Sequence, residues 1–110
     1  MGTLAAGQVV IVRFPFSNLT ASKLRPAVVL AEAGRDDWIL CQITSQPYGD
    51  TRAIRLEVGD VSHGSLRLTS FARPGKLFTA HASLVTSQVG TLQAGKFAAI
   101  REALNRIIGA

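Results

Sequence analysis

The sequence has few of the residues on which several classes of protein depend. Cys41 is the only cysteine among 110 residues, so no disulfide can form within the chain and nothing favours an oxidising compartment. No basic segment followed by an apolar one opens the chain, which argues against a secretory signal. No apolar run approaches the ~20 residues of a membrane-spanning helix. We therefore expect a cytoplasmic protein that does not enter a membrane.

Metal ligands and phosphate-binding loops are also scarce. His63 and His81 are far apart in the sequence, and the one cysteine belongs to a predicted strand, a spacing that does not suit zinc. The carboxylates are scattered, which disfavours a calcium or magnesium site. No glycine-rich loop precedes a predicted helix in the manner of a nucleotide-binding loop. We therefore expect neither a metal nor a cofactor.

The composition is that of a globular protein with a basic surface. Apolar residues make up 47% of the chain and charged residues 17%, which is typical of a folded domain. At this length we expect a single domain over residues 1–110. Twelve Lys and Arg outweigh seven Asp and Glu, and the net charge of +5 suits an anionic partner such as nucleic acid, an acidic protein segment or a membrane surface.

Short stretches rich in Val, Ile and Leu indicate β-strands. The predicted strands cover residues 8–14, 27–31, 38–45, 52–57, 65–73 and 87–92, and residues 74–81 are predicted to form a turn at Pro74 and Gly75 followed by a short extended piece. Pro26 should be the first residue of its strand, because proline cannot donate to a sheet ladder. Between the first two strands, small and polar residues predict a loop of about ten residues, longer than an ordinary hairpin connection.

The periodicity changes near the C-terminus. Apolar residues recur at helical spacing from Ala94 to Ile108, and Gly109 stands at the expected end of the helix. Five to seven short strands with one closing helix predict a mainly β fold, a small antiparallel barrel with the C-terminal α-helix packed against it. The strands are apolar on both faces, more than one helix can cover, so we also expect a homodimer.

One polar cluster is suited to phosphate chemistry. Lys23 and Arg25 enter the second strand, and Thr44, Ser45 and Gln46 end the third. Consecutive strands joined by a short turn pair antiparallel, so both groups should meet at one edge of the sheet. A guanidinium beside hydroxyl and amide groups can bind a phosphodiester that gains negative charge. The spacing equally allows a structural role, in which the arginine pairs with a carboxylate and the threonine ends a strand.

His63 and His81 are the other candidates for acid–base chemistry, because two histidines can cleave RNA without a metal. Neither stands beside a basic or hydroxyl cluster that would define a phosphate site. Roles in a loop and at a helix cap are therefore favoured, and the sequence leaves a contribution of either histidine open.

Three segments resemble the MazF/PemK family of toxins from toxin–antitoxin systems. They are GQVVIVRFPFSNLTASKLRPAVVLAE (7–32), LCQITSQ (40–46) and KLFTAHASLV (76–85), in the order and spacing of the family. The resemblance implies an SH3-like β-barrel with a C-terminal helix, usually a homodimer. It also implies a metal-independent, sequence-selective endoribonuclease that cleaves single-stranded mRNA and is inhibited by an acidic, partly disordered antitoxin.

The resemblance implies that Arg25, before the proline, and Thr44, in the I-T-x-Q segment, are the catalytic pair. Attack of a ribose 2'-OH on its own phosphate would give a 2',3'-cyclic phosphate and a free 5'-OH. Arg25 would stabilise the charge of the phosphorane, and whether it also transfers a proton stays open. Thr44 would hydrogen-bond the phosphate. The residues expected to bind RNA are Phe16, Asn18, Lys23, Ser45, Gln46, Arg73 and Lys76.

The chain departs from the family at Gln8 and Arg13, where relatives often carry aspartate, so salt bridges made by those acids are in doubt here. Loops vary most within such families, and the cleaved sequence and the antitoxin are therefore not inferred. Two alternatives use the same barrel: a toxin that poisons DNA gyrase by protein contact, and a catalytically silent nucleic-acid-binding barrel. The C-terminal NRIIGA lacks the terminal aromatic residue typical of the gyrase-directed toxins.

Overall fold

The computed structural model describes residues 3–15 and 22–109. In this part of the chain, strands form one antiparallel sheet that is followed by a helix. The strands are β1 Gln8–Pro15, β2 Ser22–Gly34, β3 Asp37–Thr44, β4 Ile54–Leu56, β5 Val61–Ser62, β6 Ser70–His81 and β7 Val85–Leu92, and the helix is α1 Ala94–Ile108. Their order across the sheet is β4-β6-β3-β2-β1-β7-β5. The predicted mainly β fold with a C-terminal helix is confirmed.

The sheet is strongly curved, as a half-barrel is. The rings of Phe14 in β1 and Phe78 in β6 are 4.9 Å apart, centroid to centroid, although β2 and β3 lie between their strands. In a flat sheet three strand spacings of about 4.8 Å would separate these side chains. We call the side on which they meet the concave face.

Buried apolar side chains cover both faces of the sheet. On the concave face they include Val10, Val12, Ala27, Val29 and Leu40, which alternate along their strands with the residues of the opposite face. The opposite face includes Val9, Val28, Cys41 and Ile43, and α1 covers it with the fully buried Ile100. The helix therefore covers one face of the sheet, and the concave face is covered by its own cluster of buried side chains.

The helix has the predicted bounds, Ala94–Ile108. Gly109 adopts a left-handed φ of 78°, and its N–H donates to the carbonyl of Asn105. Glycine adopts this conformation without the strain that a side chain would bring. Within residues 3–15 and 22–109, no helix is both long enough and apolar enough to cross a membrane.

The second strand is longer than the sequence indicated. Pro26 lies inside β2, and residues 22–26 pair with β1 alone, because pairing with β3 begins at Ala27 opposite Gln42. Proline is tolerated here because no β3 partner at this level needs its missing N–H. The expected loop is correspondingly shorter, since Ser22 and Lys23 belong to the strand. Residues 16–21 lie outside the described residues.

The predicted break near Pro74 is a bulge within one strand. Along β6, Leu77 pairs with Cys41 and Ala72 pairs with Ile43, so residues 73–76 lie opposite the single residue 42. A bulge of this kind accommodates a proline and interrupts the regular ladder.

Two further predictions were wrong. Residues 65–69 precede β6 rather than form a strand, and β5, in a predicted loop, is too short to give a periodic pattern.

Candidate functional site

Arg25 and Thr44 flank the point where β2 and β3 stop pairing. The last pair of the ladder at this end is Ala27 with Gln42, and two more steps in the same register would place Arg25 opposite Thr44. Pro26 has no N–H and cannot continue the ladder. The register therefore places the two residues that the sequence singled out on neighbouring strands, at the edge where the ladder ends.

Both side chains belong to the concave face. Arg25 is two residues from Ala27 and Thr44 is four residues from Leu40, so each shares the face of an apolar residue of the concave cluster. Adjacent strands are about 4.8 Å apart, which is less than the length of an extended arginine side chain. The guanidinium and the hydroxyl can therefore contact the same phosphate group.

Arg25 is half-buried, and within residues 3–15 and 22–109 no carboxylate forms a salt bridge with it. The salt bridges found there join Arg55 to Glu57, Arg73 to Asp50, Lys96 to Asp60, and Arg106 to Glu102. A structural role for Arg25 required a salt bridge with a carboxylate, and none of these four salt bridges involves Arg25. A guanidinium without an anion from its own chain can bind one from outside.

Thr44 is 9% exposed, and its hydroxyl closes a tight turn at the end of β3. The Oγ1 atom accepts a hydrogen bond from the N–H of Gln46 at 3.1 Å and donates one to the carbonyl of Gln46 at 3.2 Å. This is the strand-end role that the spacing allowed. The accepted bond fixes the oxygen in place, while the hydroxyl hydrogen can turn to another acceptor. A structural role and a phosphate contact are therefore compatible.

The other predicted RNA-binding residues divide into three groups. Lys23, Ser45 and Gln46 are exposed beside Arg25 and Thr44. Phe16 and Asn18 lie outside the described residues. Arg73 and Lys76 come from the β6 bulge and line a cavity of about 400 Å³.

Arg73 and Lys76 differ in how their charges are used. The Nε of Arg73 donates to Oδ2 of Asp50 at 3.0 Å, with the two side chains 18% and 15% exposed, and its guanidinium lies 5.8 Å from the centre of the Tyr48 ring. The backbone N–H of Arg52 and the Arg73 side chain lower the pKa of the Asp50 carboxyl. Arg73 thus holds the loop before β4, whereas Lys76 is exposed and available to an anionic ligand.

A smaller cavity, of about 110 Å³, lies beside the bulge. Its walls come from Phe14, Gln42, Lys76, Leu77 and Phe78. Sequence reasoning did not assign a role to Phe14 or Gln42. The sequence offered one indication: Gln42 is polar, whereas Trp38 and Leu40, which precede it on the same face of β3, are apolar.

The surroundings of the two histidines and the cysteine do not indicate a catalytic role for any of the three. The Nδ1 of His81 accepts the N–H of Ser83 at 3.1 Å, which caps the short 3-10 helix Ala82–Leu84. His63 is exposed in a turn with a φ of 60°. Burial raises the pKa of the Cys41 thiol to about 12, so it stays protonated and unreactive. In the described part of the chain, no three His, Cys, Asp or Glu side chains are grouped as metal ligands.

The sequence and the fold are both similar to those of known proteins. The family model of PemK-like, MazF-like toxins of type II toxin–antitoxin systems matches residues 5–108. No curated protein matches the chain at a significant level.

Solved structures agree in fold over nearly the whole chain. A MazE–MazF complex from Deinococcus radiodurans has a TM-score of 0.79 at 20% identity, covering 98% of each chain. An endoribonuclease in complex with its cognate antitoxin, from a mycobacterial species, has a TM-score of 0.76 at 14% identity, covering 99% of this chain and 96% of that one. The Mycobacterium tuberculosis toxin MazF-mt6 has a TM-score of 0.69 at 17% identity, covering 91% and 96%. Together with the family match, the curved sheet and the closing helix confirm the resemblance, and the chain belongs to the PemK-like, MazF-like toxins of type II toxin–antitoxin systems.

Proposed function

We propose that this toxin is a metal-independent, sequence-selective endoribonuclease that cleaves single-stranded mRNA in the cytoplasm. The observation that carries the proposal is the position of Arg25, half-buried and without a salt bridge to any described carboxylate, beside Thr44 where β2 and β3 separate. The mycobacterial structural relative is itself an endoribonuclease, which supports the same activity here.

The proposed reaction needs charge stabilisation more than acid–base groups. The ribose 2'-oxygen attacks the adjacent phosphorus, the bond to the 5'-oxygen breaks, and the products are a 2',3'-cyclic phosphate and a 5'-OH. Negative charge grows on the two non-bridging oxygens, where the planar guanidinium of Arg25 can donate two parallel hydrogen bonds. Arginine stays protonated in proteins, so we assign Arg25 to stabilising the phosphorane, with water carrying the protons.

Thr44 is proposed to orient the same phosphate. Its oxygen is already fixed by the N–H of Gln46, so the hydroxyl needs only to turn its hydrogen from the Gln46 carbonyl to a phosphate oxygen. That exchange replaces a neutral hydrogen bond by a stronger, charge-assisted one. The geometry is thus prepared before RNA binds, which is how such groups contribute to rate.

The surroundings favour a single strand over a duplex. Lys23 and Lys76 are exposed on the rim of the site, where they can contact neighbouring phosphates. The Phe14 and Phe78 rings line the adjacent cavities, and aromatic walls bind bases that are unstacked from a helix. Only single-stranded RNA offers such bases.

We also propose that an acidic antitoxin inhibits the toxin by occupying this site. Two of the structural relatives are complexes with an antitoxin, and a chain with a net charge of +5 attracts a carboxylate-rich segment. Carboxylates can take the place of phosphates against Arg25 and Lys76. We further expect a homodimer, because Leu68 and Ile108 expose apolar side chains that a second copy can cover.

The test is incubation of the purified toxin with a long RNA in EDTA, followed by mapping of the new ends. We expect cleavage at a limited set of sites, with 2',3'-cyclic phosphate and 5'-OH termini. Cleavage that EDTA abolishes, or 5'-phosphate products, would contradict the mechanism. RNA binding without cleavage would indicate the silent barrel, and gyrase inhibition with intact RNA would indicate the protein-directed toxin.

A further inference from the structure

We propose that Gln42 reads a nucleobase of the RNA, with its amide oxygen accepting a hydrogen bond from the edge of the base inside the cavity lined by Phe14, Lys76, Leu77 and Phe78. The proposal rests on the proposed nuclease function and adds to it the side chain that selects the cleaved sequence. We call this cavity the base pocket.

The first observation is an unmade hydrogen bond. The Oε1 atom of Gln42 is buried, and it has no hydrogen-bond partner among residues 3–15 and 22–109. Within those residues it is the only buried side-chain oxygen or nitrogen in this condition. Buried polar groups are almost always paired, because leaving one unpaired costs its desolvation energy. The Gln42 side chain lines a cavity, so a ligand in that cavity can supply the missing donor once the amide turns towards it.

The second observation is the cavity itself. The base pocket measures about 110 Å³, several times the ~30 Å³ that one water molecule occupies in the liquid. Its apolar walls include the Phe14 and Phe78 rings, which meet edge to face at an interplanar angle of 69°. Lys76 stands at the same pocket. Aromatic walls, one polar group and a cation suit a flat base and the phosphate attached to it.

The bulge in β6 creates this pocket. In a regular ladder one residue of β6 would lie opposite Gln42, and its side chain would cover the amide. Instead residues 73–76 have no regular ladder partner at this position, and Lys76 of this bulge lines the pocket. Bulges next to functional sites commonly redirect side chains in this way.

The pocket also lies at the right distance from the reacting phosphate. Gln42 and Thr44 are two residues apart on β3, so they share a face and are separated by roughly 6.6 Å along the strand. Gln42 pairs with Ala27, two residues from Arg25. A nucleotide whose phosphate contacts Arg25 and Thr44 can therefore place a neighbouring base in the pocket.

An acceptor selects among bases by the donors that they present. Each RNA base presents a donor, an exocyclic amine in A, C and G and an imino N–H in G and U, but at different positions on its edge. A base whose donor does not reach Gln42 in the pocket would leave the oxygen unpaired. We therefore expect a base preference at one position next to the cleaved phosphate, and we expect Gln42 to be responsible for that position alone.

The test compares Gln42→Met with a matched control, Gln88→Met. The first change keeps the length and the approximate volume of the side chain and removes the amide. The second makes the same replacement at an exposed position in β7. On a randomised single-stranded RNA pool, Gln42→Met should lose the preference at one position and cleave the preferred sequence about 10- to 100-fold more slowly. The control should match the unmodified toxin in both respects.

Two outcomes would overturn the inference. One is an unchanged base preference in Gln42→Met, and the other is a uniform loss of rate at all sequences, which a merely structural role or a pocket filled by water would give. If Gln42→Met does not fold, Gln42→Glu replaces it in the test. The glutamate keeps a hydrogen-bond acceptor, so this variant should keep the base preference. It should cleave more slowly, because the negative charge of the glutamate repels the phosphate. If the toxin cleaves no RNA, the proposed function fails separately, and selection of bound sequences from the same pool tests Gln42 by binding alone.

Discussion

Replacing Thr44 by valine separates the two roles of its hydroxyl. The change preserves the shape of the side chain and removes both hydrogen bonds to the backbone of Gln46. Gln46 is exposed, so water can satisfy its freed groups, and the loss of stability should be about 1 kcal/mol. For a domain of this size that corresponds to a fall in Tm of roughly 4 °C.

The effect on cleavage should be larger than the effect on folding. A hydrogen bond to a charged group contributes about 1.5–3 kcal/mol, so losing the Thr44 contact with the phosphate should lower kcat/KM by about 10- to 100-fold. Thr44→Ser keeps the hydroxyl and should stay within a few-fold of the unmodified toxin. Thr86→Val is the matched control, because Thr86 also donates to a backbone carbonyl, that of Ile11, from an exposed position.

The assay is cleavage of a short single-stranded RNA well below the Tm of every variant, together with thermal unfolding. A folded Thr44→Val protein that cleaves as fast as the unmodified toxin would refute the catalytic role and leave the strand-end role alone. Thr44→Ser as inactive as Thr44→Val would show that the hydroxyl is not what matters.

Three further predictions follow from charge and burial. The pKa of the Asp50 carboxyl is lowered in the folded state. Its ionised form therefore stabilises the fold at pH values above the unfolded pKa of about 3.9, and this stabilisation is lost as pH falls through the folded pKa. Tm should drop more steeply below about pH 4 in the unmodified toxin than in Asp50→Asn. Sedimentation equilibrium should give a homodimer at micromolar concentration, and a monomer would contradict the expectation from the exposed Leu68 and Ile108. A small acidic antitoxin should bind stoichiometrically and block cleavage, with weaker binding at high salt; binding that leaves cleavage unchanged would refute inhibition at the Arg25 site.

The features that the sequence predicted well are those set by local patterns. The helix Ala94–Ile108 carries its own periodicity and is followed by a glycine suited to its end. The strands were found because runs of Val and Ile suit a sheet whose two faces are both covered. Arg25 and Thr44 could be assigned to one edge because two consecutive strands joined by a tight turn pair antiparallel, although the two register shifts between them have no local signal.

The features that were missed depend on contacts between distant segments. Arg73 is held by Asp50, 23 residues away, and no local pattern marks that pair. Pro26 inside β2 is tolerated because β3 is not paired at that level, which depends on the whole sheet. The bulge at residues 73–76 was taken for a turn because a Pro-Gly pair usually marks one. Gln42 gained significance only from the cavity beside the bulge, which its side chain lines.

The central claim, that Arg25 stabilises the charge of a phosphate undergoing cleavage, is tested most directly by the cleavage rate of Arg25→Ala in EDTA. Arg67→Ala is the matched control, since Arg67 is exposed and has no part in the proposed site. We predict that Arg25→Ala folds normally and cleaves about 10²–10³ times more slowly. Arg25→Lys should also cleave poorly, because a point charge cannot make two parallel hydrogen bonds, and Arg67→Ala should be unaffected. A folded Arg25→Ala protein that cleaves RNA at nearly the unmodified rate would contradict the account.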